Sequence, residues 1–308
     1  MFFRNLSMFR FPAATALDAL DAQLQRHRLK PVAGHEPLSR GFVAPLGEAA
    51  VEDDAATETA LTHRIDRSLW LTLGMEERLL PPAVIDDQLG RRLAALERRE
   101  GRPPGSRTRR RLKDDLVAEL LPRAFVRPRR IDALIDLQHH VVAVDTASRV
   151  QAEALIGELR HALGSFPALP LNPQRAPRTV LTGWMAGERL PDGLMLGEEC
   201  ELRDPTDFGA VVKCLRHDLQ ADEIVRHLRS GKQVARLGLV LDAKLTFVLG
   251  EDLVVRKLKF LDGAVDALEG TDRGDVRAEL DARSALMGAE FSRLFGVLEN
   301  AFLLGRAD

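Results

Sequence analysis

Few residues in this sequence have the types and spacing that enzymatic chemistry requires. The stretch "SGKQ" (230–233) resembles the end of a phosphate-binding loop, but Arg226 stands where that motif has its first glycine. Gln233 also follows Lys232 where the motif has a hydroxyl residue for magnesium. No GxSxG motif occurs, and no set of acids marks successive strand ends as a carboxylate nuclease requires. The sequence therefore favours a protein that is not an enzyme.

The histidines and cysteines form no metal-binding pattern. His139 and His140 are adjacent, and in a strand they would point to opposite faces, so they would not hold one metal ion together. Cys200 and Cys214 have no CxxC or HxxxH neighbours, and small buried residues are the simpler interpretation. We therefore expect no metal ion, no cofactor and no small-molecule substrate.

Positive charge is concentrated in one part of the chain. The formal net charge is −2, yet residues 91–130 contain fourteen Arg and Lys against five Asp and Glu, a local balance of +9. The rest of the chain therefore carries −11. A basic region on an acidic protein attracts phosphate locally. A solvated helical hairpin in an arginine-rich protein would have the same composition, so charge alone leaves both interpretations open.

Length and composition indicate a folded protein with more than one core. A chain of 308 residues usually divides into two or three subdomains. Its 45% hydrophobic and 29% charged content is typical of globular proteins. Arg4 and Arg10 interrupt the N-terminal stretch "MFFRNLSMFRF", which therefore lacks the apolar block of a secretory signal. We expect a cytoplasmic protein without a membrane span, since no run of 18 apolar residues occurs.

The pattern of apolar residues predicts an α+β fold with mixed or antiparallel sheets. In the N-terminal part it predicts a strand at 2–11, a helix capped by Thr15 and a strand at 67–74. Later elements are predicted as a strand in "LIDLQHHVVAVDT", a helix at 148–163, a proline-rich connection at 164–179, a strand at 209–219, a helix at 221–231, three antiparallel strands in "QVARLGLVLD", "KLTFVLG" and "VVRKLKFL", and a long helix from about Ser284.

The arginine-rich region is predicted to form two helices joined by a basic turn. A helix starts at Pro82, a break follows at "GRPPGSRT" (101–108), and the second helix is stopped by Pro122. Such a pair would form a projecting basic hairpin. Three domains are predicted. The central domain comprises 1–80 and 131–170, the tip region comprises 81–130, and the base domain comprises 171–308.

Two further basic stretches lie outside the hairpin. "KCLRHD" contains Lys213, Arg216 and His217, and in "VVRKLKF" Lys257 and Lys259 would share one face of a strand. A solvated outer sheet face would also explain these charges. The sequence has no helix-turn-helix, zinc finger or RNA-binding aromatic signature. Separated basic surfaces without base-reading motifs are typical of proteins that contact the duplex backbone without reading sequence.

One aromatic residue stands among cations. Phe125 lies in "LLPRAFVRPRR" (120–130), between Arg123 and Arg127. Such a residue is a core residue whose neighbours point outward, a stacking platform for single-stranded bases, or an anchor for a partner. The local sequence leaves these three interpretations open.

Several stretches resemble the recombination-associated protein RdgC family of bacteria. They are "FFRNLSMFRF", "GFVAPLG" (41–47), "ERLLPPAVI" (77–85), "LLPRAF" (120–125), "GSFPALPL" (164–171) and "RKLKF" (256–260), and the C-terminal helix is in register with them. "LLPRAF" is the most specific of these. The resemblance covers nearly the whole chain, and none of the stretches is a catalytic motif.

The resemblance implies a non-enzymatic, nucleoid-associated protein that binds double-stranded DNA with little sequence preference. It implies a ring-shaped homodimer whose positively lined hole holds a duplex, and whose occupancy of DNA restrains RecA-type recombinases. Phe125 corresponds to the aromatic at the tip contact between subunits. Arg216 and His217 match a DNA-facing pair that precedes "DL", although the family has an amide in place of His217.

These expectations define the candidate site. The residues predicted to contact DNA are Lys213, Arg216, His217, Lys257, Lys259, Arg109, Arg110, Arg123 and Arg127, and Phe125 is predicted to lie at the dimer interface. Two alternatives stay open at this point. The basic hairpin would dock an acidic protein partner, or the aromatic among arginines would bind single-stranded nucleic acid.

Overall fold

The computed structural model describes residues 2–45, 47, 59–206, 210–265 and 276–305. The chain divides into two compact units. The first unit comprises Met1–Arg26, Ala44–Thr72 and Ile131–Asp308, and the second comprises His27–Val43 and Leu73–Arg130. The division into three domains stays a prediction. Among the described residues, no helix is long and apolar enough to cross a membrane.

The element order confirms the α+β class. The strands are β1 Ser7–Arg10, β2 Leu38–Val43, β3 Thr62–Ile65, β4 Ser68–Leu79, β5 Phe125–Asp136, β6 Val141–Val144, β7 Leu169–Pro170, β8 Leu194–Arg203, β9 Val211–Leu215, β10 Gln233–Leu241, β11 Leu245–Gly250 and β12 Val255–Phe260. The helices are α1 Leu20–Gln25, α2 Pro82–Glu100, α3 Ser106–Leu120, α4 Arg149–Leu163, α5 Pro177–Met185, α6 Asp222–Arg229, α7 Asp262–Val265 and α8 Val276–Phe302.

The first unit contains a five-stranded sheet in the order β12-β11-β10-β8-β9. All four neighbouring pairs are antiparallel, which confirms the three successive antiparallel strands predicted for β10, β11 and β12. Its inner face contributes to a core that also includes Trp184 of α5 and Phe291, Phe295 and Phe302 of α8. Burying each of these aromatic side chains contributes about 1.5–3 kcal/mol to folding. This core covers the inner face of the sheet, so the charged residues of its strands lie on the outer face.

The first unit also contains the pairs β3 with β4, β5 with β6, β6 with β1, and β1 with β7, all antiparallel. The strand β1 is shorter than the predicted strand at 2–11. The strand β1 begins only at Ser7, because the preceding residue, Leu6, exchanges two backbone hydrogen bonds with Val255 of the five-stranded sheet. Leu6 therefore joins the N-terminus to a different sheet from β1.

The second unit consists of β2, α2, α3 and the parts of β4 and β5 that fall within it. The helix α2 begins with Pro82 at its first position and ends at Gly101, whose φ of 68° closes the helix as a left-handed cap. The two helices contact each other, and Arg92 of α2 forms an ion pair with Glu119 of α3 at 2.7 Å. Both helices predicted for this region are therefore present.

Several sequence predictions in the first unit were wrong or incomplete: the stretch through His139 and His140 is interrupted by a turn, and the long C-terminal helix begins at Val276 rather than near Ser284. Thr15 is not a helix cap, because its N–H donates to the carbonyl of Pro12 in a turn and α1 begins only at Leu20. The predicted connection at 164–179 already contains the start of α5, where Pro177 occupies a helix position that needs no N–H donor. The strand β8 was not predicted, because its glutamates and two register shifts against β10 hide the alternation of apolar residues.

Candidate nucleic-acid interface

Six cations lie on the outer face of the five-stranded sheet, which we call the basic sheet face. They come from four strands. Alternation along each strand points them away from the core, and a bulge in β12 allows the consecutive residues Arg256 and Lys257 to share the outer face. The basic sheet face consists of Arg203 of β8, Lys213 of β9, Arg236 of β10, and Arg256, Lys257 and Lys259 of β12. Most of these residues line or adjoin a shallow depression of about 210 Å³.

Glu201 organises the basic sheet face from its centre. It is the register partner of both Lys213 and Arg236 in the neighbouring strands, and its side chain is only 7% exposed. Its carboxylate lies 2.7 Å from Arg203, 3.5 Å from Arg236 and 3.7 Å from Lys213. Burial pushes the pKa of Glu201 upward, but the hydrogen bond from Arg203 and the three positive charges outweigh burial and hold the pKa below its ordinary value. Three cations are thus held around one buried anion.

A glycine allows the far edge of the sheet to join this network. A Cβ atom at Gly238 of β10 would lie 2.9 Å from the backbone carbonyl oxygen of Glu199, so only glycine fits there without a shift. The Glu199 carboxylate contacts the ammonium group of Lys257. Asp252 receives two hydrogen bonds from Arg256, which outweigh the effect of burial and lower the pKa of that carboxyl. Arg203 also lies 3.8 Å from Glu251, so the six cations of the face have four acids among their described partners.

The strand β12 contains a bulge at Lys257. The register with β11 shifts between Thr246, which faces Lys259, and Val248, which faces Arg256. Lys257 adopts a φ of 52°, a backbone conformation that residues with a Cβ rarely adopt. Bulges of this kind redirect side chains next to functional sites. Lys257 and Lys259 are both exposed while Leu258 between them is buried, as the sequence pattern predicts.

Arg216 and His217 do not lie in a strand, as was predicted, but in the bend that follows β9. Arg216 has a φ of 54°, which ends the extended conformation. The His217 N–H donates to the Glu198 carbonyl, and its Nδ1 lies 2.9 Å from the Asp218 carbonyl oxygen. Its Nε2 lies 2.5 Å from the Glu223 carboxylate. Both ring nitrogens therefore face acceptors, and both contacts are hydrogen bonds only when the ring carries two protons.

Arg216 differs from His217 in its surroundings. It is exposed, and within the part of the chain that the structure describes its guanidinium makes no ion pair. Of the matched pair, Arg216 is thus the residue with donors available to a ligand, whereas the ring nitrogens of His217 have partners within the protein.

In the second unit, the cations of α3 lie at the end of the helix where they are least favourable. The helix begins after Gly105 without a side-chain cap and has no acid in its first turn. The first half of α3 instead carries Arg107, Arg109, Arg110, Arg111 and Lys113, all of them exposed. A helix N-terminus carries partial positive charge, so cations there reduce helix stability. Their presence points to a role other than stabilising the fold.

Phe125 is the most exposed large apolar residue of the described chain. It is the first residue of β5, its exposed fraction is 84%, and the adjacent Val126 is also exposed. A core position for Phe125 is thus excluded within the monomer. Large exposed aromatic groups mark surfaces that are covered by a partner or a ligand.

Arg78 holds the turn that precedes Phe125. Its guanidinium donates hydrogen bonds of 3.2–3.3 Å to three carbonyls of that turn and of 3.3–3.4 Å to two carbonyls of a neighbouring loop. The acceptors in the turn are Leu121, Pro122 and Ala124, and those in the loop are Val32 and Ala33. This arginine fixes the start of β5 because five donors in one plane reach several acceptors at once.

The arginines around Phe125 have different partners. Arg127 donates a hydrogen bond of 2.7 Å to Glu77, which lowers the pKa of that carboxyl, and Arg129 lies 3.9 Å from the same group. Arg123 is exposed and forms no ion pair among the described residues. Arg127 is therefore partly neutralised by a direct contact, whereas Arg123 only contributes, after Arg92, to lowering the pKa of the Glu119 carboxyl.

The structure brings some of the predicted site residues together. Lys213, Lys257 and Lys259 share the basic sheet face, and Arg216 follows the same edge strand as Lys213. Arg109, Arg110, Arg123 and Arg127 belong to the second unit. Sequence reasoning did not identify Arg203, Arg236, Arg256 or the central Glu201. The alternation in "QVARLGLVL" placed Arg236 opposite its apolar neighbours and was the available signal, but Glu201 required knowledge of which strands are adjacent.

No group of three or more His, Cys, Asp or Glu side chains is arranged to hold a metal ion within the described ranges. The basic sheet face presents arginine and lysine side chains, which donate hydrogen bonds to anions.

Comparison with known proteins gives the same family along the whole chain. The family model described as "Putative exonuclease, RdgC" matches residues 1–304. Proteins named recombination-associated protein RdgC from Xanthomonas axonopodis pv. citri, Xanthomonas campestris pv. campestris and Stenotrophomonas maltophilia are each 55% identical over 308 residues, which is 100% of this chain and of each relative. The chain belongs to the RdgC family of recombination-associated proteins.

Proposed function

We propose that this protein binds double-stranded DNA without sequence preference and modulates homologous recombination by occupying DNA that a RecA-type recombinase would otherwise use. The observation that carries the proposal is the basic sheet face, where six cations share one surface and three of them surround the buried carboxylate of Glu201. The relatives are named for an association with recombination, which is consistent with a DNA substrate.

The chemistry of the basic sheet face supports contact with the phosphate backbone. Its donors are lysine and arginine side chains that lie on strands of the described sheet rather than on a helix of the kind that enters a major groove. Phosphate contacts fix a protein on a duplex but carry no base information. Binding of this kind therefore predicts similar affinity for unrelated sequences.

We further propose a ring-shaped homodimer in which Phe125 anchors one of two contacts between subunits. Its exposure of 84% leaves a large apolar surface that a symmetric partner would cover. Closure of two chains around a duplex requires two self-complementary contacts, and the hairpin of α2 and α3 would project its arginines toward DNA or partner acids. In the cell we expect the protein in the cytoplasm on the nucleoid, with no cofactor and no small-molecule substrate.

The proposal is tested by gel shift on linear and closed circular duplexes over a series of salt concentrations. Each phosphate contact lowers the slope of log affinity against log salt by about 0.9, so several contacts give a steep linear loss. Competition between duplexes of unrelated sequence should show equal affinity. A flat salt response, or no shift at low salt, would exclude DNA as the main ligand and favour the acidic protein partner.

Assays with DNA also distinguish duplex binding from two other activities, exonuclease cleavage and single-strand binding. The family description names an exonuclease, so the linear duplex is incubated with the protein and Mg²⁺ or Mn²⁺, and we expect its length to be unchanged. Progressive shortening that is lost on boiling the protein would establish the nuclease. The exposed Phe125 also suits base stacking, and tighter binding of single strands than of duplex would favour that activity.

A further inference from the structure

We propose that Cys200 and Cys214 form a thiol modification site, at which a low-molecular-weight disulfide converts the pair into a reversible intramolecular disulfide. The two residues are direct register partners in the antiparallel pair of β8 and β9. Register partners in an antiparallel pair project to the same side of the sheet. Both cysteines are free in this structure, and they are the only two in the chain.

The backbone spacing suits a disulfide without movement of either strand. Partner Cα atoms in antiparallel pairs are about 4.5 or 5.5 Å apart. Disulfides join Cα atoms that are roughly 4.4–6.8 Å apart. Cys200 and Cys214 are paired directly in the register of β8 and β9, so their side chains start from this spacing. A covalent bond therefore requires rotation of the side chains only.

The two thiols differ in access, which sets the order of the reaction. Cys200 is 4% exposed within the core, and burial and the neighbouring thiol raise its pKa to about 12. Cys214 is half-buried at the core margin. Cys214 loses its proton, and its thiolate attacks one sulfur of the small disulfide RSSR, which breaks the S–S bond, forms a mixed disulfide and releases RS−, which takes up the proton to give one RSH. The Cys200 thiol then gives up its proton and attacks the Cys214 sulfur, which releases a second RSH.

A disulfide between Cys200 and Cys214 would link the edge strand β9 covalently to β8. The strand β9 is the last in the order β12-β11-β10-β8-β9, so within this sheet it pairs on one side only. Lys213 lies on β9 and Arg216 in the bend after it, so oxidation acts on the surface proposed to bind DNA. This consequence rests on the proposed function, whereas the modification site does not.

The test treats the reduced full-length protein with oxidised glutathione and measures its intact mass. We expect a product lighter by two hydrogens, with a peptide map that joins Cys200 to Cys214, and full reversal by dithiothreitol. Amide hydrogen exchange at 211–217 should become about tenfold slower, because closing a loop of about 15 residues removes open conformations. The Cys214→Ser variant is the matched control and should give neither change.

Other products would overturn the site. A mixed disulfide that stays on Cys214, or a disulfide between two chains, would show that the two thiols do not react with each other. Because the main test uses the wild-type protein, misfolding of a variant does not affect it. DNA affinity of the oxidised and reduced forms is then compared, and we expect a change of at least about threefold in the wild type only. Equal affinities would remove the regulatory consequence, and failure of the reduced protein to bind DNA would instead contradict the proposed function.

Discussion

The basic sheet face and the second unit present positive charge in two different ways. On the sheet face, three cations are held by the buried Glu201 and others by Glu199 and Asp252. In the second unit, the arginines of α3 are exposed, lie at the unfavourable end of a helix and have no capping acid. The acids of the sheet face fix the positions of its cations but reduce its net positive charge. The arginines of α3 keep their net positive charge but reduce the stability of the helix.

The number of cations in a region does not by itself identify a binding surface. The arginine-rich segment at 91–130 is the strongest charge signal in the sequence. No cluster of positive charge in the sequence marks the basic sheet face, because its residues come from four strands and are interleaved with acids. A charge that is held in place loses less side-chain entropy on binding than a mobile one. We therefore expect the basic sheet face to determine the affinity for duplex DNA. We expect the second unit to determine how long the protein is retained on closed circular DNA.

The largest effect is expected for Phe125→Glu. If Phe125 anchors a subunit contact, loss of a buried aromatic weakens that contact by about 2–4 kcal/mol, and retention on closed circular DNA at moderate salt should be lost. Circular dichroism should be unchanged. Val150→Glu, at another exposed apolar residue, is the control and should be retained like the parent. Equal retention of Phe125→Glu would contradict the anchor, and selective loss of single-strand binding would favour base stacking.

Glu201→Gln should destabilise the first unit by about 1–3 kcal/mol, because the buried side chain then lacks the charge that accepts from Arg203 and offsets the repulsion among three cations. The folded-state pKa of Glu201 lies below its ordinary value of 4.5, so its contribution is present above pH 4.5 and is lost as the pH falls through the folded-state pKa. Urea unfolding between pH 3 and 7 should therefore show a smaller acid-induced loss in the variant.

The control for this prediction is Glu153→Gln, which removes an exposed i,i+4 pair with Arg149. Exposed pairs contribute little to stability, so this variant should unfold like the parent at neutral pH. If Glu201→Gln also unfolds like the parent, the carboxylate does not organise the sheet face.

Arg78→Ala should lower retention on circular DNA by roughly tenfold, since losing fixed hydrogen bonds at the turn before Phe125 costs about 1.5 kcal/mol of contact energy. Arg78→Lys keeps the charge but not the planar set of donors, so it should behave like Arg78→Ala. Combining either change with Phe125→Glu should add nothing. Normal retention of Arg78→Lys would show that charge, rather than positioning of the turn, is what matters.

Arg216→Ala should weaken duplex binding about equally for unrelated sequences, by roughly fivefold to tenfold, since one exposed hydrogen bond contributes about 1 kcal/mol, and reduce the salt slope by about 1. Fluorescence anisotropy on two sequences measures both quantities. Arg189→Ala is the matched control, because Arg189 is exposed and its ion pair with Asp192 lies outside the basic sheet face. Loss for one sequence only would indicate base contact instead.

The smallest effect is expected for Arg107→Glu, which should have opposite effects on stability and binding. An acid in the first turn of α3 stabilises the helix by about 0.3–1 kcal/mol, while reversal of the charge should weaken DNA binding. Arg107→Gln should fall between the two. Thermal unfolding and anisotropy on the same samples provide the comparison, and unchanged binding would show that α3 is not part of the interface.

Much of the fold followed from local patterns, and the failures have physical causes. The helices α2 and α4 were predicted because a proline start, a serine cap and a glycine end are local signals. The strand β8 was missed because bulges disturb its alternation, and the bend at Arg216 because positive φ at a residue with a Cβ has no sequence signature. The roles of the candidate site residues stay predictions.

By itself, the sequence determined the family, the α+β class, the concentration of arginines at 91–130 and the identity of Phe125 as an unusual aromatic. These depend on residues that are close in the chain or on stretches that resemble other proteins. Only the tertiary structure decided that Phe125 is exposed, that Glu201 gathers Arg203, Lys213 and Arg236, and that two distant cysteines face each other. Burial and strand register arise from contacts between residues far apart in sequence, and no local pattern specifies which strands become neighbours.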